Sequence, residues 1–348
     1  GVIGSAGKTT TALLVSTLLR SLGYRSAFQT DLGDCDGIVQ KTSKQRLPTN
    51  SDLVRWFGEV ADAGSQAAIV ELTDEGARQG AYDAIEFDIL IVAGDGTVSE
   101  DFGPSGLQCA LDRLTKEAVV IAPSEDTRTL RLIRDCDARP LTYSVRRAAD
   151  LTAKLIDQSG GMSTLMVTHQ NTTAMMETAL CGAANASNHL AATLVGLLLG
   201  HPIEEVLEKL SLLREIPGRG QRLIEYGQTT VVIDAAGSPQ RAASTLRTER
   251  SMKATGRLWC VLAINDCDSP AVLAQYGTSL ERFADQAIVT AQPNTKKSFM
   301  SASHSVLDGV QDCAAMRLVA DQRRGLEWAM SEARPADTIV VLTGQKLS

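Results

Sequence analysis

Gly4-Ser5-Ala6-Gly7-Lys8-Thr9-Thr10-Thr11 follows the apolar pair Val2-Ile3 and opens a stretch, residues 9–22, with helical periodicity closed by Gly23. Strand, glycine-rich turn, helix is the order in which a backbone can wrap an anion. Glycines let main-chain N–H groups turn toward a phosphate, and the helix N-terminus adds a partial positive charge. In this reading Gly4, Ser5, Ala6, Gly7 and Thr10 form the cradle, Lys8 reaches the β- and γ-phosphates, and the Thr9 hydroxyl completes a Mg²⁺ shell. The spacing is not the standard G-x-x-x-x-G-K-[ST], because Val2 stands where the first glycine belongs. Glycines alone describe an ordinary strand-to-helix turn. The Gly-Lys-Thr-Thr-Thr run in this context puts phosphate binding ahead.

Outward from the loop, short apolar runs at residues 67–71, 89–93 and 118–122 are continuous rather than alternating. Such strands, with amphipathic segments between them, predict a parallel sheet covered on both faces. Residues 141–167 are more polar and predict an antiparallel extension. Helices follow at 185–199 and 203–213 around Gly200-His201-Pro202, with the proline in the first turn of the second, where its missing N–H costs nothing. Ile216-Pro217-Gly218 then breaks the chain. Strands at 230–233, 258–264, 286–290 and 338–342, with helices from Pro239 and around 325–333, restart the alternation. The expected fold is α/β: a P-loop-type central domain, residues 1–216, with a mostly parallel sheet, and a Rossmann-like C-terminal α/β domain, residues 217–348.

The 348 residues, 44% hydrophobic and 22% charged with net charge −7, have globular composition, and the length fits two domains. The longest apolar run, at residues 194–199, is far below the roughly 20 residues that span a bilayer. The acid excess and 4% aromatic content argue against a nucleic-acid surface, which needs basic stripes and stacking platforms. Seven scattered cysteines without a C-x-x-C pair, and only four histidines, exclude the usual disulfide and zinc frameworks and point to a cytoplasmic setting. The chain opens without Met on what reads as a strand end, so residues upstream are expected.

The loop resembles the nucleotide loop of the Mur ligases, the ATP-dependent enzymes that add amino acids to the peptidoglycan precursor of the cell wall. Further segments fall in the family's order. Ile69-Val70-Glu71-Leu72 resembles the strand ending in a metal-binding Glu. Residues 185–192, Asn-Ala-Ser-Asn-His-Leu-Ala-Ala, resemble the N-x-x-N-x-L-A-A helix near the adenine. Ile216-Pro217-Gly218-Arg219 matches the P-G-R segment that starts the C-terminal domain, and Asp234-Ala235-Ala236-Gly237-Ser238-Pro239 resembles D-Y-A-H-[NT]-P. The members adding the third peptide residue are the most similar; the family's N-terminal UDP-sugar domain has no counterpart here. The resemblance implies ATP and Mg²⁺ as cofactors. A substrate carboxylate takes the γ-phosphate to give an acyl phosphate and ADP, and an amino-acid amine then displaces phosphate. It assigns Lys8 to the γ-phosphate, Thr9 and Glu71 to the first Mg²⁺, Arg219 to phosphate, Asp234 to the nucleotide and Asn188 to the adenine end. Taken singly, Glu71 also reads as a polar strand end, Asn188 as a helix-surface amide and Asp234 as a strand-terminal cap.

The departures from the family are also ordered. Val98-Ser99 align with an Asp-His pair that serves a second Mg²⁺, and Arg113 aligns with a carbamylated Lys near that metal. A guanidinium cannot carry the carbamate. Glu71-Leu72-Thr73-Asp74-Glu75 lacks the His of E-x-S-S-H, and Gly237 replaces the His of D-Y-A-H. Ala291-Gln292-Pro293-Asn294 keeps only the proline of the D-N-P-R turn that reads the acceptor amino acid, with Lys296-Lys297 downstream. Arg113 is either a surface residue or a cation standing in for the second metal. Two readings follow: a divergent ATP-dependent amide ligase acting on a small-molecule carboxylate and an amino acid, or a non-catalytic descendant that binds ATP or serves as a scaffold. In a bridging third, a partner chain supplies the substrate domain. The ligase reading is preferred, because a relic has no need of Lys8, Thr9, Glu71 and Arg219 together.

Overall fold

A computed structural model describes residues 1–42, 48–94, 104–136, 138–224, 229–252, 255–265, 268–292 and 298–343. The chain divides into two units: residues 1–157, 162–179 and 183–214 form the first, and residues 158–161, 180–182 and 215–348 the second.

In the first unit the strand Val2–Ile3 runs parallel to Phe87–Val92, with Val2 opposite Ile91 and Ile3 opposite Val92. Leu114–Pro123, Arg139–Ser144, Leu151–Ser159, Met162–His169 and Thr172–Thr178 continue that seven-stranded sheet in chain order. A four-stranded sheet runs Gln40–Thr42, Gly33–Cys35, Ser26–Thr30, Ala67–Val70. It reaches Val2 through a parallel bridge at Glu71. Strands buried on both faces need no alternation, and Ile3, Leu90, Val120 and Ile121 are all fully enclosed. One face is covered around Leu53, Trp56, Leu107 and Ile133, from the helices Asn50–Asp62, Pro104–Leu111 and Thr127–Arg134. The helices Lys8–Ser21, Ala183–Leu198 and Ile203–Leu210 pack together elsewhere in the unit.

The expected extension exists but is mixed. Arg139–Ser144 pairs in parallel with both Leu114–Pro123 and Leu151–Ser159; the two-residue Gly160-Gly161 connection then turns the chain back into the neighbouring strand Met162–His169, which pairs antiparallel with Thr172–Thr178. Parallel pairing keeps the buried centre of the sheet going through Arg139–Ser144, and the chain reverses at Gly160-Gly161, within the polar stretch. Pro202 sits one position earlier than expected, as the extended N-cap residue of Ile203–Leu210.

The second unit is a six-stranded sheet in the order Arg219–Ile224, Thr230–Asp234, Thr338–Thr343, Leu258–Ile264, Gln286–Ala291, Met316–Leu318. Only the first pair is antiparallel. Along Leu258–Ile264 every residue is buried: Leu258, Cys260 and Leu262 join one apolar cluster, Trp259 and Val261 another. This is the pattern of a strand sandwiched between helices.

Asp337 ties two neighbouring strands of this sheet. It is 2% exposed, and its carboxylate accepts from Arg257 N–H at 2.7 Å, Arg334 N–H at 3.0 Å and the Trp259 indole at 3.0 Å. Burial alone raises a carboxyl pKa, but these donors and the Arg257 guanidinium outweigh it and hold Asp337 at about 2, below its ordinary 3.8. A depressed folded-state pKa stabilises above the unfolded value and loses that contribution as pH falls toward the folded one. Asp337 is therefore expected to contribute roughly 2 kcal/mol at neutral pH, lost between about pH 4 and pH 2. Urea unfolding at pH 7, 4 and 2 checks this: Asp337→Asn should be less stable at pH 7 and converge on the parent at pH 2. A constant difference across the range contradicts it.

Candidate functional site

The phosphate loop is held where two strands end. Gly4 has φ +144°, and a Cβ there would lie 2.2 Å from the Ala93 carbonyl, so only glycine lets the loop leave the sheet at this point. Gly7 has φ +77°, and its missing Cβ is replaced by the Asn188 Oδ1, 2.2 Å from where that atom would stand. Gly7 is the N-cap of Lys8–Ser21 and no side chain caps that end, whereas Thr49, Thr73 and Asp126 each cap a helix in the same unit. The first N–H groups of the phosphate-loop helix are thus the kind that an anion satisfies. Ser5 is exposed at the tip of the loop; Thr10 is buried.

Lys8 folds back over the loop, its Nζ 3.0 Å from the Gly4 carbonyl. Thr9 Oγ1 lies 3.0 Å from Glu71 Oε2, although the two residues are 62 positions apart. Glu71 stands at the end of Ala67–Val70, beside Val2 and 8% exposed. Burial, and then the negative charge of Asp31, push its pKa up; Lys8, the Asp31 N–H and the Thr9 hydroxyl pull against them without reversing the direction. The structure brings Lys8, Thr9 and Glu71 together, and beside them Asp31, which sequence reasoning missed. Asp31 Oδ1 is 2.9 Å from Thr9 Oγ1, and its backbone N–H donates to Glu71 Oε2 at 3.0 Å. The available signal was an acid at the carboxyl end of Ser26–Thr30, the strand that pairs with Ala67–Val70.

These oxygens suit Mg²⁺, a hard ion that takes one or two carboxylates and leaves its remaining positions to water and phosphate. Among the described residues no set of three or more His, Cys, Asp or Glu forms a metal cage. What lies here is two acids and a hydroxyl next to a cradle that a Cβ would fill.

Asn188 is 3% exposed and lies under the loop, accepting from Thr11 Oγ1 at 3.3 Å and donating to Asn185 Oδ1 at 3.2 Å. Its observed contacts therefore shape the loop. Arg113 is not brought to the site. Its guanidinium donates to the Asp83 carbonyl at 2.6 Å and carboxylate at 2.9 Å. Its own carbonyl accepts from Phe87 N–H, at the start of the strand whose far end meets Gly4. Six residues of strand put about 20 Å between those ends. Arg113 as a stand-in for a second metal is corrected accordingly: alignment placed it along the chain, while the direction of the strand placed it at the opposite edge. Val98 and Ser99 lie outside the described residues, as do Pro293, Asn294, Lys296 and Lys297. Gln292 is described; its amide donates to the Ala263 carbonyl at 3.3 Å.

In the second unit Arg219 and Asp234 face each other across the antiparallel pair. Ala235 N–H donates to the Gly218 carbonyl at 2.9 Å, fixing the Pro-Gly-Arg turn against the Asp234 turn. Asp234 is 7% exposed and its pKa is raised by burial, with Arg241 and Arg219 opposing. Arg241 Nη2 is 3.9 Å from Asp234 Oδ1, an oxygen without a hydrogen-bond partner among the described residues.

Residues 218–345 match the family described as Mur ligase, glutamate ligase domain. Over nearly its whole length the chain is similar to Mur ligases. It is 25% identical, over 98% of its length and 72% of the other protein's, to a UDP-N-acetylmuramoyl-L-alanyl-D-glutamate–2,6-diaminopimelate ligase from Geobacillus thermodenitrificans. Its fold is similar to that of the MurF ligase from Thermotoga maritima in complex with ADP, with a TM-score of 0.76 at 14% identity, covering 99% of this chain and 75% of that one. It is also similar to a folylpolyglutamate synthase from Thermotoga maritima, with a TM-score of 0.73 at 17% identity, covering 98% and 85%. The mixed α/β architecture is shared with both structures.

The Gly7–Asn188 contact is directly testable. Gly7→Ala is expected to destabilise the first unit by more than the ~1–2 kcal/mol of a left-handed alanine, because the new methyl strikes the Asn188 amide. In an Asn188→Gly background the same substitution should cost only that left-handed term. Chemical denaturation of the four proteins completes the cycle, and equal costs in both backgrounds would show that the contact is unimportant.

Proposed function

We propose that the chain is an ATP-dependent ligase of the Mur type, which activates a carboxylate as an acyl phosphate and joins it to the amine of an amino acid. The observation that carries this reading is the convergence of Lys8, Thr9 and Glu71 at the helix N-terminus that no side chain caps. The similar proteins described above, a diaminopimelate ligase, a MurF ligase bound to ADP and a folylpolyglutamate synthase, support it at the level of the reaction class.

Phosphoryl transfer leaves little covalent work to the protein, so the residues act by position and charge. Lys8, released from the Gly4 carbonyl, can neutralise the transferred phosphate. The first N–H groups of Lys8–Ser21 hold the phosphate oxygens. Thr9 and Glu71 would hold Mg²⁺, which would supply positive charge beside the phosphates. On the second unit, Arg219 offers a guanidinium and Asp234 an acceptor oxygen; the family resemblance is what assigns both to the nucleotide. The substrates proposed are a small-molecule carboxylate and an amino acid, by likeness to the diaminopimelate ligase in peptidoglycan-precursor synthesis. A partner chain presenting the carboxylate substrate belongs to the same proposal. The compartment proposed is the cytoplasm, where ATP is supplied. Among the described residues no helix is long and apolar enough to cross a membrane.

Calorimetric titration of Mg-ATP into the protein and into Lys8→Ala tests the reading. Micromolar binding, weakened at least about tenfold by the substitution (~1.4 kcal/mol), is expected. ADP release should then require a carboxylate and an amine together. Absence of binding at millimolar ATP overturns the ligase and leaves the non-catalytic scaffold.

A further inference from the structure

Thr9, Asp31 and Glu71 present a shortage of protons. Thr9 Oγ1 lies 2.9 Å from Asp31 Oδ1 and 3.0 Å from Glu71 Oε2. The hydroxyl has one hydrogen, and an ionised carboxylate only accepts. The Asp31 N–H already serves Glu71 Oε2 at 3.0 Å. That one hydrogen can at most be shared between the two contacts, in a place where Glu71 is 8% exposed. Either a proton is shared within the group, or a cation belongs there.

We propose that Asp31 is a further metal ligand, so that Thr9, Asp31 and Glu71 together form a two-carboxylate seat for the divalent cation of the nucleotide. This rests on the ATP-ligase reading and adds to it a residue that the Mur resemblance did not supply. The adjoining phosphate loop argues for a cation over a shared proton. Gly4 and Gly7 shape a cradle for an anion, and two carboxylates beside a triphosphate repel it unless a positive charge intervenes. Mg²⁺ held by one or two carboxylates together with substrate phosphates is the usual arrangement for such an ion. A second carboxylate also lets the protein hold the cation before the nucleotide arrives. With a single carboxylate, the phosphates must bring it.

The test counts free Mn²⁺ by electron paramagnetic resonance, with and without saturating ADP, for the parent, Asp31→Asn, Glu71→Gln and Lys8→Ala. Asparagine keeps an oxygen that accepts the Thr9 hydrogen, so the local shape persists while the charge is lost. Circular dichroism and urea unfolding verify that each variant is folded. The parent is expected to bind Mn²⁺ without nucleotide, and Asp31→Asn to weaken Mn²⁺ at least about tenfold with or without ADP, as loss of a ligand does. Lys8→Ala should lose ADP and keep Mn²⁺. Mn²⁺ affinity of Asp31→Asn within a factor of two of the parent overturns the proposal in favour of the shared proton. Absence of Mn²⁺ binding by the parent in both conditions overturns it as well. If the parent binds Mn²⁺ in an Asp31-dependent way but never binds ADP, the seat stands and the ligase reading falls.

Discussion

Two main-chain hydrogen bonds fix the position of the strand Val2–Ile3, and the candidate site depends on them. Leu72 N–H donates to the Val2 carbonyl at 2.8 Å on one side, and Ala93 N–H to the Ile3 carbonyl at 2.6 Å on the other. The strand is two residues long, yet it lies between the end of Ala67–Val70 and the end of Phe87–Val92, with both side chains buried. Its carboxyl end therefore opens beside Glu71 on one flank and Ala93 on the other. In open α/β sheets the crevice at the carboxyl ends of the strands is where ligands bind. The loop inherits its place from the sheet, and Thr9 meets Glu71 because the bridge at Val2 sets the end of Ala67–Val70 beside the start of the loop. Tyr143, from a strand further along the sheet, reaches the same edge, sharing its one hydroxyl hydrogen between the Val92 and Gly94 carbonyls at 2.8 and 2.9 Å.

The loop was legible in the sequence because its requirements are local. A positive φ, a close backbone approach and a cationic tip are written as Gly4, Gly7 and Lys8, whatever the rest of the chain does. The parallel sheet was legible from runs such as residues 89–93 and 258–264, since a strand buried on both faces cannot alternate. Asp31 was not legible. Its strand, Ser26–Thr30, is short, mixes Gln and Thr with Ala and Phe, and gains its meaning from pairing with residues forty positions on. Asn188 shows a different limit. The N-x-x-N pattern implies an amide near the adenine, but Ala183–Leu198 is buried almost continuously from Ala186 to Gly196, and the amide was taken up beneath the loop. Spacing along a helix shows which residues share a face; it leaves open how many faces are covered.

Arg113 separates two kinds of inference. Aligning it with a metal-associated lysine used position along the chain, and the chain there runs in the turn that enters a strand at its amino end. Its ion pair with Asp83 is exposed on both sides, with 39% and 64% of the side chains accessible, and such pairs contribute little stability. The residue is thus an ordinary surface cation, and positive charge at the phosphate loop has to come from closer groups.

Those groups are few, and their balance constrains the chemistry. Against the charge of a triphosphate the described loop sets Lys8 and the N-terminal end of Lys8–Ser21, equivalent to about half an elementary charge. Asp31 and Glu71 add two negative charges at the same place when ionised, and burial of Glu71 makes one of them costly. Without a cation the carboxylates would cancel more than Lys8 and the helix supply, and the loop would repel the ligand it is shaped for. With a divalent cation among Thr9, Asp31 and Glu71, the same carboxylates become the means of fixing positive charge where the phosphates would sit. On the proposed reading that ion reconciles the acidic residues with the anion cradle, and it places the divalent charge where Lys8 and the helix N-terminus also point.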